Sequence, residues 1–468
     1  MPLPPNIKQV HFVGIGGYGM SALALILLKK GYLVSGSDIK ESALTAALAA
    51  KGANVTIGHH PENISTAQLV VYSTAVPTAN PELTETAHRG LPLWHRSELL
   101  AALMNSSYGI AIAGAHGKTT TTAMVALLLE AGGLDPTVVI GGVLPAYGSN
   151  ARLGSSRYLV AEADESDSSF TRYFPRLALI TGIEPDHLEH YENDYARLQQ
   201  AYATFLSNLP ADGSAVLCFD DPALRELASR LDCPVISYTL ANHPSNQADY
   251  HAANIVLGGK SSTFDLYRNG KLSAAGVTLG VPGSHNVSNA VGALALADRL
   301  GLDPASCAGA LADFQGVGRR FELIGIVDDI SVIDDYAHHP TEIKATIAIA
   351  RLSARRIICI FQPHRYSRTA AFFDQFASAF TGADLVLLHS VYAAGEAPLP
   401  GATSEALAEQ IRRQSNIPVV YSEDMGALET EAAAAARPGD MILTMGAGDI
   451  TTAAPRIFTR LQQQESGA

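Results

Sequence analysis

A Gly-Lys-Thr turn at residues 114–119 sets the tightest constraint on what this chain can fold into. Gly114-Ala115-His116-Gly117-Lys118-Thr119 follows the apolar run Tyr108-Gly109-Ile110-Ala111-Ile112-Ala113 and precedes three more threonines and an apolar stretch to Leu129. The pattern predicts a buried strand, a tight turn and a helix. In that arrangement backbone N–H groups and the helix N-terminus face an anion, and the lysine adds a point charge. The threonine hydroxyl is then placed to ligate Mg²⁺. The generic phosphate-loop spacing asks for another glycine where this chain has Ile112. A structural turn in an α/β sheet would account for Gly-Lys-Thr alone. The flanking strand, the helix and four successive threonines favour an ATP site lined by Gly114, Ala115, His116, Gly117, Lys118, Thr119 and Thr120.

A second glycine turn lies near the N-terminus. Val10-His11-Phe12-Val13 reads as a strand, Gly14-Ile15-Gly16-Gly17-Tyr18-Gly19 as the turn, and residues 20–30 as a helix. Another strand follows and ends at Gly36-Ser37-Asp38, which supplies the acid of the dinucleotide fingerprint about twenty positions on. The fingerprint fits NAD(P), FAD or a UDP-sugar equally. Leu69-Val70-Val71-Tyr72 is a third strand, and Ser73-Thr74-Ala75 leaves it at the same sheet end as the glycines. Near Trp94, His95 and Arg96 suit either a ligand phosphate or packing.

At 468 residues, a length prior gives about three domains. Hydrophobic residues make up 47% and charged residues 16%, which describes a globular chain. No apolar run is long enough to span a bilayer, and the N-terminus lacks the basic-then-apolar order of an export signal. Four scattered cysteines fit buried thiols in a reducing cytoplasm. A formal charge of −13 argues against a nucleic-acid partner and requires local cations at any phosphate site.

In the middle of the chain Arg157 begins an apolar strand that ends in Glu162-Ala163-Asp164-Glu165-Ser166-Asp167. Carboxylates at the carboxyl end of a parallel strand, facing a phosphate loop, are candidate metal ligands. The strand Leu177-Ala178-Leu179-Ile180 leads to Glu184-Pro185-Asp186-His187. Asn286 and Asn289 share one helical face and suit a nucleobase, with helix capping as the competing role. Gly316-Val317-Gly318-Arg319-Arg320 reads as a hinge with two cations. In the last third, strands near 330–333, 357–361, 385–388 and 441–444 alternate with amphipathic helices, predicting a third doubly wound sheet. Their four polar or glycine-rich ends, among them Tyr336, His338, His364, Arg365 and Arg368, are expected on one edge.

Taken in order, Gly-x-Gly-Gly-x-Gly, Ala113 to Thr122, Glu162-Ala163-Asp164-Glu165-Ser166-Asp167, Glu184-Pro185-Asp186-His187, Asp334-Asp335-Tyr336-Ala337-His338-His339-Pro340 and Gln362-Pro363-His364-Arg365-Tyr366-Ser367-Arg368 resemble the Mur ligases from about residue 8 to about 455. The resemblance implies an α/β chain of three domains: a Rossmann-like 1–106 for the UDP substrate, a P-loop ATPase-like 107–317 for ATP, and a Rossmann-like 318–468 for the amino acid. It implies a cytoplasmic, ATP- and Mg²⁺-dependent ligase, monomer or homodimer, that joins L-alanine to the lactyl carboxylate of UDP-N-acetylmuramate in peptidoglycan precursor synthesis, and hence in cell-wall biogenesis, cell shape and division.

It further implies Lys118 on the β/γ-phosphates, Thr119 and Glu162 on one Mg²⁺, and His187 on a second ion. Because His187 suits a hard cation poorly, Mn²⁺ is the alternative there. Asn286 and Asn289 fall near adenine, and Arg319 or Arg320 on ribose or phosphates. Gly16, Gly17, Tyr18, Gly19, Met20, Asp38, Ser73, Thr74 and Ala75 fall on the UDP substrate. Tyr336, His338, His364, Arg365 and Arg368 surround alanine, and His187, His338 and His364 are candidates for the general base. Ala115 stands where the family usually has threonine. Two rival readings are a tripeptide-recycling ligase on the same acceptor, which tends to carry tyrosine at Ser166, and a nicotinamide-dependent oxidoreductase, which would leave the Gly-Lys-Thr loop unexplained.

Overall fold

The apolar runs around each glycine-bearing turn pair side by side as parallel strands, and three sheets result. The computed structural model describes residues 3–240 and 248–467; Met1 and Pro2, part of the stretch read for an export signal, lie outside the described residues. The first sheet has five strands, β1 (Gln9–Val13), β2 (Leu33–Asp38), β3 (Asn54–Ile57), β4 (Leu69–Tyr72) and β5 (Leu93–His95), in the order β3-β2-β1-β4-β5. All its pairs are parallel, and strand order reverses between β1 and β4. That switch point is where open α/β sheets bind ligands, and it puts the glycine turn after β1 beside residues 73–75 after β4. β3 is half exposed and weakly apolar, which hid it from the sequence pattern.

The second sheet comprises β6 (Tyr108–Ala113), β7 (Thr137–Leu144), β8 (Ser149–Arg152), β9 (Tyr158–Glu162), β10 (Leu177–Ile180), β11 (Ser214–Cys218), β12 (Val235–Thr239), β13 (Tyr250–Leu257), β14 (Ser262–Arg268) and β15 (Lys271–Leu279). Its order is β15-β14-β13-β12-β11-β10-β6-β9-β7-β8. β6 runs parallel to both neighbours, β9 and β10, so the turn after β6 opens between the carboxyl ends of those two strands.

The third sheet, in the order β16-β17-β21-β18-β19-β20, is built from β16 (Glu322–Val327), β17 (Ile330–Asp335), β18 (Arg356–Phe361), β19 (Leu385–His389), β20 (Val419–Ser422) and β21 (Asp440–Met445). Only the β16–β17 pair is antiparallel. β18 shows why such a strand reads as one apolar run. Ile357, Cys359 and Phe361 enter the core on one face, Ile358 and Ile360 the core on the other. With both faces covered by helices, alternation disappears. Each such buried side chain stabilises the fold by roughly 1.5–3 kcal/mol.

By internal contacts the chain forms two compact units. One carries the first sheet and most of the second (Met1–Ile255, Phe264–Thr278, Asn286–Phe314), the other the third sheet with the ends of β13, β14 and β15 (Val256–Thr263, Leu279–His285, Gln315–Ala468). All four cysteines are free and buried, and no described helix is long and apolar enough to cross a membrane.

Candidate functional site

The Gly-Lys-Thr turn is an anion cradle by construction. Gly114 and Gly117 have φ of +133° and +80°, and a Cβ on Gly114 would sit 2.1 Å from Thr181 Oγ1. Gly117 precedes the helix Lys118–Ala131 without a side-chain cap, so the first helical N–H groups stay open for a ligand. Thr181 fixes the turn from β10 by donating its hydroxyl to His116 O at 2.5 Å. Ala115 N–H is already donated to Gly182 O at 2.9 Å, so that amide braces the turn. His116 Nε2 lies 3.4 Å from Glu184 Oε2.

Lys118 Nζ donates to Gly114 O at 2.7 Å and to both oxygens of Glu165 at 2.8 Å. Burial works against its charge, but Glu165, Asp164 and Glu162 outweigh it and raise its pKa. The ammonium is therefore fixed beneath the turn. Asp164 is only partly buried, and Lys118 and Arg96 hold its carboxyl well below the usual range.

Glu162, the last residue of β9, faces the start of the helix. Thr119 Oγ1 donates to Glu162 Oε2 at 3.2 Å, and Gly141 N–H on β7 donates to Oε1 at 2.5 Å. Mg²⁺ takes octahedral oxygen ligands at 2.0–2.1 Å, which puts neighbouring ligands about 3 Å apart. The Thr119 and Glu162 oxygens already have that spacing, so the pair fits Mg²⁺. His187 stands in the left-handed region at φ +55°, with Nε2 3.5 Å from Asp186 Oδ2 and Nδ1 3.7 Å from Glu189 Oε1. Asn286 and Asn289 lie inside the helix Ser284–Arg299, so neither caps it. Asn289 is brought to the turn: a Cβ on Gly117 would meet its Oδ1 at 2.7 Å.

In the first sheet the glycine turn is held by the end of β2. Ser37 O accepts from Gly14 N–H (2.8 Å) and Ile15 N–H (2.9 Å), and Asp38 Oδ2 accepts from Gly16 N–H at 2.8 Å. The fingerprint acid thus braces the turn through Gly16. Tyr18 is exposed, whereas Met20 is buried in the core, which leaves Met20 only its backbone to offer. Ser73 is half-buried, Thr74 and Ala75 are exposed, and Val76 packs against Gly14. Arg96 Nη1 would lie 3.2 Å from a Cβ on Gly19, and its Nη2 donates to Asp164 Oδ2 at 3.1 Å. One arginine therefore touches both the first glycine turn and an acid behind the Gly-Lys-Thr loop.

The third sheet gathers its strand ends on one edge, because β17, β21, β18 and β19 are mutually parallel. The Tyr336 and His338 rings meet edge-on at 5.1 Å, His338 and His364 at 6.0 Å, and His364 stacks on Tyr392 at 5.6 Å. Arg368, buried, has Nη1 3.3 Å from His364 Nδ1. Arg365 has φ +70° and donates its N–H to Tyr392 O at 2.8 Å. His338 N–H donates to Glu342 Oε2 at 3.0 Å. The two hinge arginines diverge. Arg319 is a brace, its Nε donating to Asp334 Oδ2 at 2.8 Å and its Nη2 to Gly446 O at 2.7 Å. Arg320 stacks over Tyr336 at 5.0 Å and reaches Glu342 only at 3.8 Å, so it is the better placed of the two for a ligand.

Sequence reasoning counted Glu165 only among the candidate metal-ligating carboxylates, and assigned no particular role to Gly141 or Tyr392. Glu165 was one of four acids in six positions, and only the turn of the chain after β9 separates it from Glu162. Gly141 lies in an apolar run with no motif around it.

Three family models match the chain: "Mur ligase family, catalytic domain" over residues 9–108, "Mur ligase middle domain" over 112–297, and "Mur ligase, glutamate ligase domain" over 319–448. Among curated relatives, the chain is similar to the UDP-N-acetylmuramate–L-alanine ligase of Pelotomaculum thermopropionicum, at 47% identity over 459 residues and 98% of each chain. It is 46% identical to the protein of the same name from Aromatoleum aromaticum, over 95% of this chain and 96% of that one. Among solved structures it is similar to the UDP-N-acetylmuramate-alanine ligase of Thermotoga maritima, with a TM-score of 0.82 at 31% identity over 97% of this chain and 99% of that one. A murein peptide ligase of Psychrobacter arcticus is similar with a TM-score of 0.72 at 28% identity, over 97% and 98% of the two chains.

Proposed function

The chain belongs to the Mur ligase family, and from that premise we propose that it joins L-alanine to the lactyl carboxylate of UDP-N-acetylmuramate, converting ATP to ADP and phosphate. The observation that carries this reading is the full-length likeness to alanine-adding ligases at 44–47% identity. The phosphate loop backed by the Thr119–Glu162 pair supports its ATP half.

A carboxylate and an amine do not condense in water without activation. The lactyl carboxylate takes the γ-phosphoryl group and becomes an acyl phosphate; the alanine amine then attacks its carbonyl, and phosphate leaves. The first step is positioning and charge neutralisation. Lys118 and the open N–H groups after Gly117 hold the phosphates. Thr119 and Glu162 would hold Mg²⁺, which neutralises phosphate charge when bound. His187, with Asp186 and Glu189 beside it, would serve a second ion, and Mn²⁺ suits that mixed donor set better. Asn289 and Asn286 face the base, and Arg320, rather than the engaged Arg319, serves ribose or phosphate.

At the edge of the third sheet Arg368 and Arg365 take the alanine carboxylate, where a guanidinium can bind bidentately. Tyr336, His338 and His364 enclose its amine, and His338, His364 and His187 are the candidates for the general base. The UDP end is assigned to the amides and Tyr18 of residues 16–20, to Asp38 through its brace on Gly16, and to Ser73, Thr74 and Ala75. The working division is 1–106 for the UDP substrate, 107–317 for ATP and 318–468 for the amino acid. A cytoplasmic monomer or homodimer without nucleic-acid partners completes the reading.

Phosphate release decides it. We expect turnover only with ATP, UDP-N-acetylmuramate and L-alanine together. Turnover with a preformed tripeptide in place of alanine, or none with alanine, would overturn the reading.

A further inference from the structure

A glutamate in the first turn of a helix ordinarily faces water and complements the helix dipole. Glu82, in the first turn of the helix Pro81–His88, is fully buried. Burying a lone carboxylate costs several kcal/mol unless its oxygens are satisfied, and here they are. Oε2 accepts from Ser37 Oγ at 2.6 Å and from His11 Nε2 at 3.2 Å. Oε1 accepts from Asn63 Nδ2 at 2.6 Å and from His60 N–H at 3.2 Å, with His59 Nδ1 3.6 Å away. His11 is fixed from its other side by Ser35 Oγ at 2.9 Å, and His59 Nδ1 lies 2.9 Å from Ser37 Oγ.

The four partners come from three places: β1 (His11), the end of β2 (Ser37) and the segment after β3 (His60, Asn63). Glu82 itself follows the loop after β4. One carboxylate thus ties together the connections that surround the switch point of the first sheet. One of these partners, Ser37, is also the residue whose carbonyl takes the Gly14 and Ile15 amides, and the next residue, Asp38, takes the Gly16 amide. Hydrophobic residues of equal volume would fill this space without the desolvation penalty. What they could not do is fix the hydroxyl of Ser37 and hence the height of β2 under the turn.

We propose that Glu82 is a positioning residue for the UDP end of the acceptor, holding the glycine turn through Ser37 and Asp38 without touching the ligand. This rests on the reading that residues 14–19 and 73–75 bind the UDP moiety. The ATP turn at 114–117 is braced separately by Thr181 and Gly182, so loss of Glu82 acts on one substrate and not on the others.

The test compares the full-length wild type with Glu82→Gln and Ser37→Ala. Affinity for UDP alone is measured by calorimetry, and KM for each of the three substrates by phosphate release. UDP affinity should fall about tenfold, the order expected when a turn shifts by part of an ångström. KM for UDP-N-acetylmuramate should rise in step, with KM for ATP and alanine held within about twofold. Glu82→Gln should lose less than Ser37→Ala, since an amide can still accept from Asn63 and donate to Ser37 Oγ. Unchanged UDP affinity in folded variants, or equal increases in all three KM values, would overturn the proposal. Should Glu82→Gln fail to fold, Ser37→Ala, which leaves no buried charge unpaired, decides by the same readings. Wild-type turnover with alanine reports on the ligase reading independently of the calorimetry.

Discussion

Replacing Gly141 by alanine should loosen Mg²⁺ binding while leaving the fold intact. Gly141 lies on β7, exposed and with an ordinary φ, so the added methyl brings no backbone strain. Its Cβ would stand 2.8 Å from Glu162 Oε2 and 3.0 Å from Oε1. Carbon and oxygen need about 3.4 Å or more, so the carboxylate must retreat by roughly half an ångström. A carboxylate at the tip of a flexible side chain moves cheaply, and stability should change little. Two of its engagements are less tolerant: the 2.5 Å bond from Gly141 N–H and the 3.2 Å bond from Thr119 Oγ1. Mg²⁺ demands near-ideal octahedral geometry, and disturbing a ligand's supporting contacts typically lowers metal affinity 10–100-fold. The expected outcome is a rise of about tenfold in the Mg²⁺ concentration for half-maximal phosphate release, roughly 1.4 kcal/mol. KM for alanine should be unaltered and Tm within about 2 °C. A folded Gly141→Ala protein with an unchanged Mg²⁺ titration would refute the assignment of Glu162 as a ligand held in place by β7.

Lys118→Ala should reduce ATP-dependent ligation by at least about a thousandfold, while UDP-N-acetylmuramate still binds in calorimetry; intact turnover would contradict the phosphate role. Arg368→Ala should raise KM for alanine by about tenfold or more with little change for ATP, in line with loss of a charge-assisted bond of about 1.5–3 kcal/mol; the reverse pattern would move alanine elsewhere. Acid stability offers a third check. Burial would raise the Glu82 pKa, but hydrogen bonds from His11, Ser37 and Asn63 bring it from 4.5 down to about 2. A depressed carboxyl stabilises the fold fully above its unfolded pKa, and the contribution, about 3 kcal/mol, is lost as pH falls from about 4.5 towards 2. Urea melts across that window should show Glu82→Gln with a shallower acid dependence than wild type; parallel curves would discount the network.

The amino-acid sequence alone determined the local units and their order. A strand needs only a short apolar run, a phosphate turn only glycine where φ is positive, and a helix only its start signal and periodicity, all readable within a dozen residues. So the turns at 14–19 and 114–119, the strands β1, β6, β9, β10, β17, β18, β19 and β21, and the strand-end clusters around His338 and His364 were legible. β3 and β20, short and partly exposed, and β16, largely exposed, were not.

Tertiary structure decided which strand lies beside which, since parallel pairing joins segments far apart and periodicity carries no partner information. Placing β6 between β9 and β10 set Glu162 against Thr119 and Thr181 against Gly114. Placing β7 beyond β9 brought Gly141 to the same carboxylate. The chain's course after β9 buried Glu165 on Lys118, although the two acids are three residues apart and chemically alike. Residue type says which chemistry is available; strand order says which groups meet.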